Sequence, residues 1–193
     1  MTKETAQSRK IIGLQRKKVE LLPYNPAWQK LYQKEAKLLY SAIGKYILDI
    51  QHVGSTSIPG AKAKPIIDIA IGVINLKNAE KCIDALTQLG YEYKYNVGIK
   101  GQRFFAKGSE SSRTHYIHIT KLNSRMWKDC VLFRDYLRKH KEAIKEYNEL
   151  KEKLAKKYKN DRYTYTAQKD SFIKATIKKS QGNATKYTEL EKL

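Results

Sequence analysis

The sequence predicts an α/β (α+β) fold: a mixed β-sheet flanked by helices, with a helical C-terminal half. Three observations predict it. Ile66 to Val73 is a run rich in β-branched residues, of the kind that fills a buried strand. Strand-like stretches around 91–95, 102–107 and 114–120 follow, separated by glycine turns. From Ser124 onward the apolar residues recur at helical spacing.

Taken in order, residues 1–17 are polar and basic and read as a loosely held arm. Val19 to Leu22 reads as a short strand ended by Pro23. Asn25-Pro26 starts a helix, a capping side chain followed by proline at the first helical position. Trp28, Leu31, Tyr32, Leu38, Leu39 and Ala42 continue it to Gly44. A strand from Ile47 to Val53 turns through residues 54–60 into the strand 66–73. Asn78 to Leu89 is helical and stops at Gly90. Ser124 caps a helix carrying Met126, Cys130, Phe133 and Leu137. A second helix carries Ile144, Tyr147, Leu150, Lys151, Leu154 and Tyr158, and a last one runs from about 166 to 179. Residues 180–193 form a polar tail, so the folded unit spans 18–179.

With 193 residues, 41% of them hydrophobic, the chain has material for one ordinary domain. Fourteen tyrosines against four phenylalanines imply aromatics that keep a wet hydroxyl. The absence of a bilayer-length apolar run and of an N-terminal signal stretch points to the cytoplasm and away from membranes. Cys82 and Cys130 read as reduced core thiols. Thirty-nine basic against nineteen acidic residues leave a charge of +20, which favours polyanionic partners: nucleotides, coenzyme phosphates or RNA. The lysines are spread along the chain, so a merely solvated basic surface fits equally well.

Phosphate chemistry has a candidate centre. Gly54-Ser55 ends a strand; glycine permits close backbone approach and serine supplies a hydroxyl. Asp68 follows on the next strand, where alternation puts Asp68, Ala70 and Gly72 on one face and the isoleucines on the other. A carboxylate on such an apolar strand calls for a partner. Strand-end pairing with a lysine would satisfy it as well as a metal would.

The string His52-Val53-Gly54-Ser55-Thr56-Ser57-Ile58-Pro59-Gly60, followed by Lys64-Pro65-Ile66-Ile67-Asp68-Ile69, is far more specific than its parts. It resembles the GrpB family of the nucleotidyltransferase-fold superfamily. The resemblance continues through residues 23–28, 103–105, 113–118 and 132–138 to Tyr147, Lys151, Lys169 and Phe172, covering about 18–178. It implies a nucleotidyltransferase-like sheet. Gly54, Ser55 and Thr56 would cradle phosphates, Asp68 would bind a divalent metal (Mg²⁺ or Mn²⁺), and a nucleotidyl group would pass to an acceptor. Related domains fused to dephospho-CoA kinase imply nucleotide or coenzyme A binding, without catalysis, as the alternative.

The sequence departs from the catalysts of that superfamily. Their second acid is Ala70 here, and Glu110 is the one carboxylate between Tyr93 and Lys128. His115 and His118 are three apart on a strand and point to opposite faces, so His118 alone is expected beside Asp68. One Asp and one His suit Mn²⁺ or Zn²⁺ better than Mg²⁺ unless Glu20 or Asp49 completes the shell. His52 is expected to brace the glycine loop. Lys64, Arg103 and Arg113 are the expected phosphate contacts, with Lys151 and Lys169 on lid-like helices. Arg134 and Arg138 lie opposite the apolar stripe of their helix. Tyr91, Tyr93 and Tyr95, beside Lys94, suggest a stacking face for RNA as a further alternative.

Overall fold

The computed structural model describes residues 11–95 and 99–190, without the side chains of 183–190. Residues 1–10 of the expected arm and 191–193 of the expected tail lie outside them. Five strands, β1 (Asp49–Val53), β2 (Ile67–Val73), β3 (Tyr91–Tyr93), β4 (Gln102–Lys107) and β5 (His115–Lys121), form one mixed sheet of order β1-β2-β5-β4-β3. The central pair β2–β5 is parallel and its flanking pairs are antiparallel. Parallel neighbours need a long crossover, and here the chain returns through two helices and a hairpin.

Ile67, Ile69, Ile71 and Val73 face helix α1 (Ala27–Ile43) and bury with Trp28, Leu39, Ile43, Ile117 and Ile119 in the main core. The expected helix 78–89 is two short helices, α2 (Leu76–Glu80) and α3 (Ile83–Gln88). The C-terminal half is helical as predicted: α4 (Arg125–Lys139), α5 (Lys141–Lys157), α6 (Arg162–Ala167) and α7 (Asp170–Leu190). Ile58, Phe133, Leu137, Tyr147 and Ile177 make a second core there, so the loop after β1 is packed into the helical half.

Three expectations change. Val19–Leu22 is no strand; only Leu22 bridges to Ala63. Residues 11–17 are docked: Leu14 is buried and bridges to Arg113, Gly13 N–H donates to Pro65 O at 2.8 Å, and the Trp28 indole donates to Ile11 O at 2.8 Å. The last helix continues to Leu190, past the expected stop at 179.

On the α1 face, buried Glu35 accepts from Tyr91 Oη at 2.9 Å and Lys107 Nζ at 2.6 Å, and its other oxygen lies 4.0 Å from His115 Nε2. Tyr91 is therefore a core residue, and Tyr93 stacks on Phe105, leaving Tyr95 as the open ring of the three. Burial pushes the His115 imidazole down to about 4 and that of His52, stacked on Tyr32, down to about 3. Both titrate near 6.5 once unfolded. Their stabilisation is thus complete above that pH and lost as pH falls through about 4 and about 3. The denaturation midpoint is expected to drop between pH 6.5 and 4, with a loss of stability on the order of 3 kcal/mol from each histidine. Urea titrations of wild type and His115→Gln check this, the variant giving the shallower slope.

Candidate functional site

β1 ends at Val53, which pairs with Asp68, and the chain leaves through Gly54 at φ 67°, ψ −176°. That conformation is essentially confined to glycine. The closeness is as demanding as the dihedral: a Cβ on Gly54 would sit 2.5 Å from Asp68 Oδ2. The turn is held from behind. His52 contacts Gln29 Oε1 through Nδ1 at 3.0 Å and Thr56 Oγ1 through Nε2 at 3.1 Å, and so braces the loop as expected. Arg134 donates to His52 O at 3.0 Å and to Gln51 Oε1 at 2.7 Å; Arg138 donates twice to Ser57 O, at 3.0 and 2.7 Å. Two arginines four apart on α4 thereby clamp backbone carbonyls on either side of the glycine turn.

Cross-strand register sets the other wall. Asp68 pairs with Tyr116 and Ala70 with His118, all on the face turned away from α1. His118 Nδ1 lies 3.1 Å from Gln102 Oε1, to which it donates in the tautomer that carries the proton on Nδ1. Nε2 faces Asp68 Oδ1, 3.9 Å away. His115 takes the opposite face, as the alternation argument requires. Burial alone would raise the Asp68 carboxyl. The neighbouring His118, then Lys64 and Arg162, more than offset this and hold it below the usual carboxylate range.

Cations crowd this carboxylate. Lys64 Nζ and Lys169 Nζ lie 5.2 and 4.6 Å from the centre of the buried Tyr165 ring, and the Arg162 guanidinium lies 5.1 Å from that of Tyr116. Burial first, then Arg162 and Lys169, pushes Lys64 well down despite the pull of Asp68. Burial also pushes Lys169 down to about 8, against the pull of Asp68. Lys151, 1% exposed, donates to Lys62 O and lies 4.2 Å from the Tyr147 ring centre; burial, then Lys169 and Lys62, bring it down to about 7. Tyr147 lies beside Ser55 and packs with Ile58 in the second core, linking the helical half to the turn.

Of the residues expected from sequence, Gly54, Ser55, Lys64, Asp68 and His118 come together here. Three do not. Arg103 pairs with Ile119 on the α1 side of the sheet and binds Glu80 at 2.7 Å, because one residue of register turns it away from Asp68. Arg113 is 4% exposed and spends its guanidinium on Gly108 O and Glu92. Thr56 is buried between His52 and Ile66 O. Arg162, Gln102 and Thr120 are additions. Lys151 had a signal: it interrupts an apolar stripe, four residues after Tyr147 and three before Leu154.

A resident divalent metal does not fit these residues. Among the described residues no group of three or more His, Cys, Asp or Glu side chains could hold one. Asp49 sits at the other end of β1, paired with Gly72, and Glu20 does not join. A metal at Asp68 would also face Lys64, Arg162 and Lys169.

This mixed sheet, with a glycine turn set against a strand carboxylate and a helical half closing over it, has close relatives. The family described as GrpB protein matches residues 18–179. A glutamate-rich protein GrpB of Alkalihalophilus pseudofirmus is 39% identical over 167 residues, 84% of this chain and 96% of that protein. The crystal structure of GrpB from Enterococcus faecalis, 32% identical, superposes with a TM-score of 0.78 over 86% of this chain and 99% of that one. Cid1 poly(U) polymerase in its MgGTP-bound crystal structure gives a TM-score of 0.48 at 13% identity, over 69% of this chain and 44% of that one, a likeness too loose to bear on function. The chain belongs to the GrpB family. No helix among the described residues is long and apolar enough to cross a membrane.

Proposed function

We propose that this protein binds a nucleoside triphosphate and transfers its nucleotidyl group to an acceptor hydroxyl. One observation carries the reading: Lys64, Lys169 and Arg162 surround the single carboxylate of Asp68, beside Gly54-Ser55. Partly desolvated cations that outnumber their counter-charge repel one another, and an anion supplies the missing charge. Arg162 offers a planar fork and the lysines point charges, while glycine at position 54 lets a phosphate approach the backbone.

In this reading the acceptor oxygen attacks the α-phosphorus, and its proton passes to Nε2 of His118 in the tautomer that donates to Gln102 from Nδ1. The bond from the α-phosphorus to the bridging oxygen breaks, and pyrophosphate leaves with the electron pair. Asp68 stabilises the imidazolium that forms, and the lysines and Arg162 stabilise the leaving charge. Since the positive charge comes from side chains, ATP is expected to bind in EDTA. A ligand at 100 times its Kd adds about 2.7 kcal/mol, which raises the melting temperature by roughly 5–10 °C. Thermal unfolding with ATP and EDTA reads this directly, and an unchanged transition refutes the site.

A second reading, binding without transfer, is favoured by Ala70, which stands where another acid would face the site. Release of labelled pyrophosphate separates the two: transfer produces it in step with an acceptor carrying the nucleoside monophosphate group, binding alone produces none.

A further inference from the structure

Beyond Asp68, along β2 toward Ala70, lies a cavity of about 240 Å³. Its character differs from that of the cation cluster: none of Lys64, Lys151, Arg162 or Lys169 lines it. One side is apolar, formed by Val53, Ala70, Met126 and Trp127. The other is a polar edge on the sheet, made by Thr120, Gln102 and His118.

Thr120 is the telling member. It is 2% exposed, it shares the face of His118 on β5, and its hydroxyl has no hydrogen-bond partner among the described residues. Buried hydroxyls in folded proteins are almost always paired, since an unpaired one costs on the order of 1–3 kcal/mol. Gln102, whose carbonyl oxygen meets His118, is a second polar side chain lining the same space. Cys130 also lines the wall; burial pushes its thiol up to about 11, so it packs rather than reacts.

We propose that this cavity is the acceptor site and that its occupant is a small uncharged alcohol. Its apolar body packs against Trp127 and Met126, a polar group meets Thr120 and Gln102, and its reacting hydroxyl lies at His118. The assignment of the cavity as acceptor site rests on the transfer reading above; the chemistry of its occupant rests on the cavity alone. Size supports a ring-sized body, since a cavity of about 150 Å³ already holds benzene. Charge excludes the alternatives. An anion would find no cation in the lining to pair with. An ammonium would gain little, because the Asp68 charge is already met by Lys64 and Arg162.

The test is a ¹H–¹⁵N titration of the full chain, following the Trp127 indole N–H with benzyl alcohol, benzoate and benzylamine as probes. Benzyl alcohol is expected to shift that resonance and the amide of Thr120 at least tenfold more tightly than either charged analogue. Thr120→Val is expected to weaken benzyl alcohol about three- to tenfold, the effect of one hydrogen bond. The same variant, without ligand, should melt no lower than wild type, because a methyl replaces an unpaired hydroxyl. Equal or tighter binding of benzoate or benzylamine overturns the proposal. So does an unchanged affinity in Thr120→Val, or a melting temperature several degrees lower, which would mean the hydroxyl is already satisfied within the fold. A parallel ATP titration keeps the two readings apart. If ATP fails to bind and benzyl alcohol binds with this selectivity, the transfer reading falls and the occupant's chemistry stands. If ATP binds and benzyl alcohol does not, the cavity proposal falls alone.

Discussion

Gly54→Ala is expected to destabilise the protein by about 3 kcal/mol, lowering its melting temperature by roughly 10 °C, and to abolish triphosphate binding. Two effects add. At φ 67°, ψ −176° any side chain is strained, and the new methyl would lie 2.5 Å from Asp68 Oδ2. The carboxylate cannot simply swing aside, for its strand is paired on both edges, to β1 and β5. Either β1 shifts away from β2 or Asp68 adopts another rotamer and breaks its relation to His118. Calorimetry reads the first effect and ATP titration of the folded variant the second. A variant as stable as wild type that still binds ATP would show that the turn is not held against Asp68.

Asp68→Asn is expected to separate binding from chemistry. The amide is nearly isosteric, so the fold is kept. Removing the negative charge leaves Lys64, Lys169 and Arg162 with no counter-charge, and ATP is expected to bind several-fold more tightly. The imidazolium formed when His118 takes a proton would lose its stabilising partner, and transfer is expected to fall about 10²- to 10⁴-fold. Isothermal titration and pyrophosphate release measure the two quantities on one preparation. Intact transfer in this variant would remove Asp68 from the mechanism; weaker ATP binding would show that the carboxylate, rather than the cations, holds the ligand.

How far sequence reaches is visible in single residues. Alternation along one strand put Asp68 and Ala70 on a common face and separated His118 from His115, and register agrees with both. The same periodicity says nothing about which face a second strand turns toward the first. Arg103 was therefore an even choice against its neighbour Gln102, and cross-strand pairing gave the site to Gln102. Arg113 looked available because charge is normally solvated, yet it is buried against Gly108 and Glu92. Arg162 opens the short helix α6, too short for a periodic pattern to mark it, and it reaches the site because α6 packs under Lys64 and Lys169 through Tyr165. Residues 11–17 looked like a free arm because their anchors are mainly backbone hydrogen bonds, which side-chain composition does not encode.

The two arginines of α4 bear on the timing of recognition. They tie the helical half to the carbonyls of His52 and Ser57, and Asn148 and Lys151 of α5 tie it again to residues 60–62. Turn and cations are thus already assembled before any anion arrives. Association then has no closing step to wait for, so its rate should follow the encounter itself, slowing with ionic strength and rising linearly with ligand concentration without a plateau.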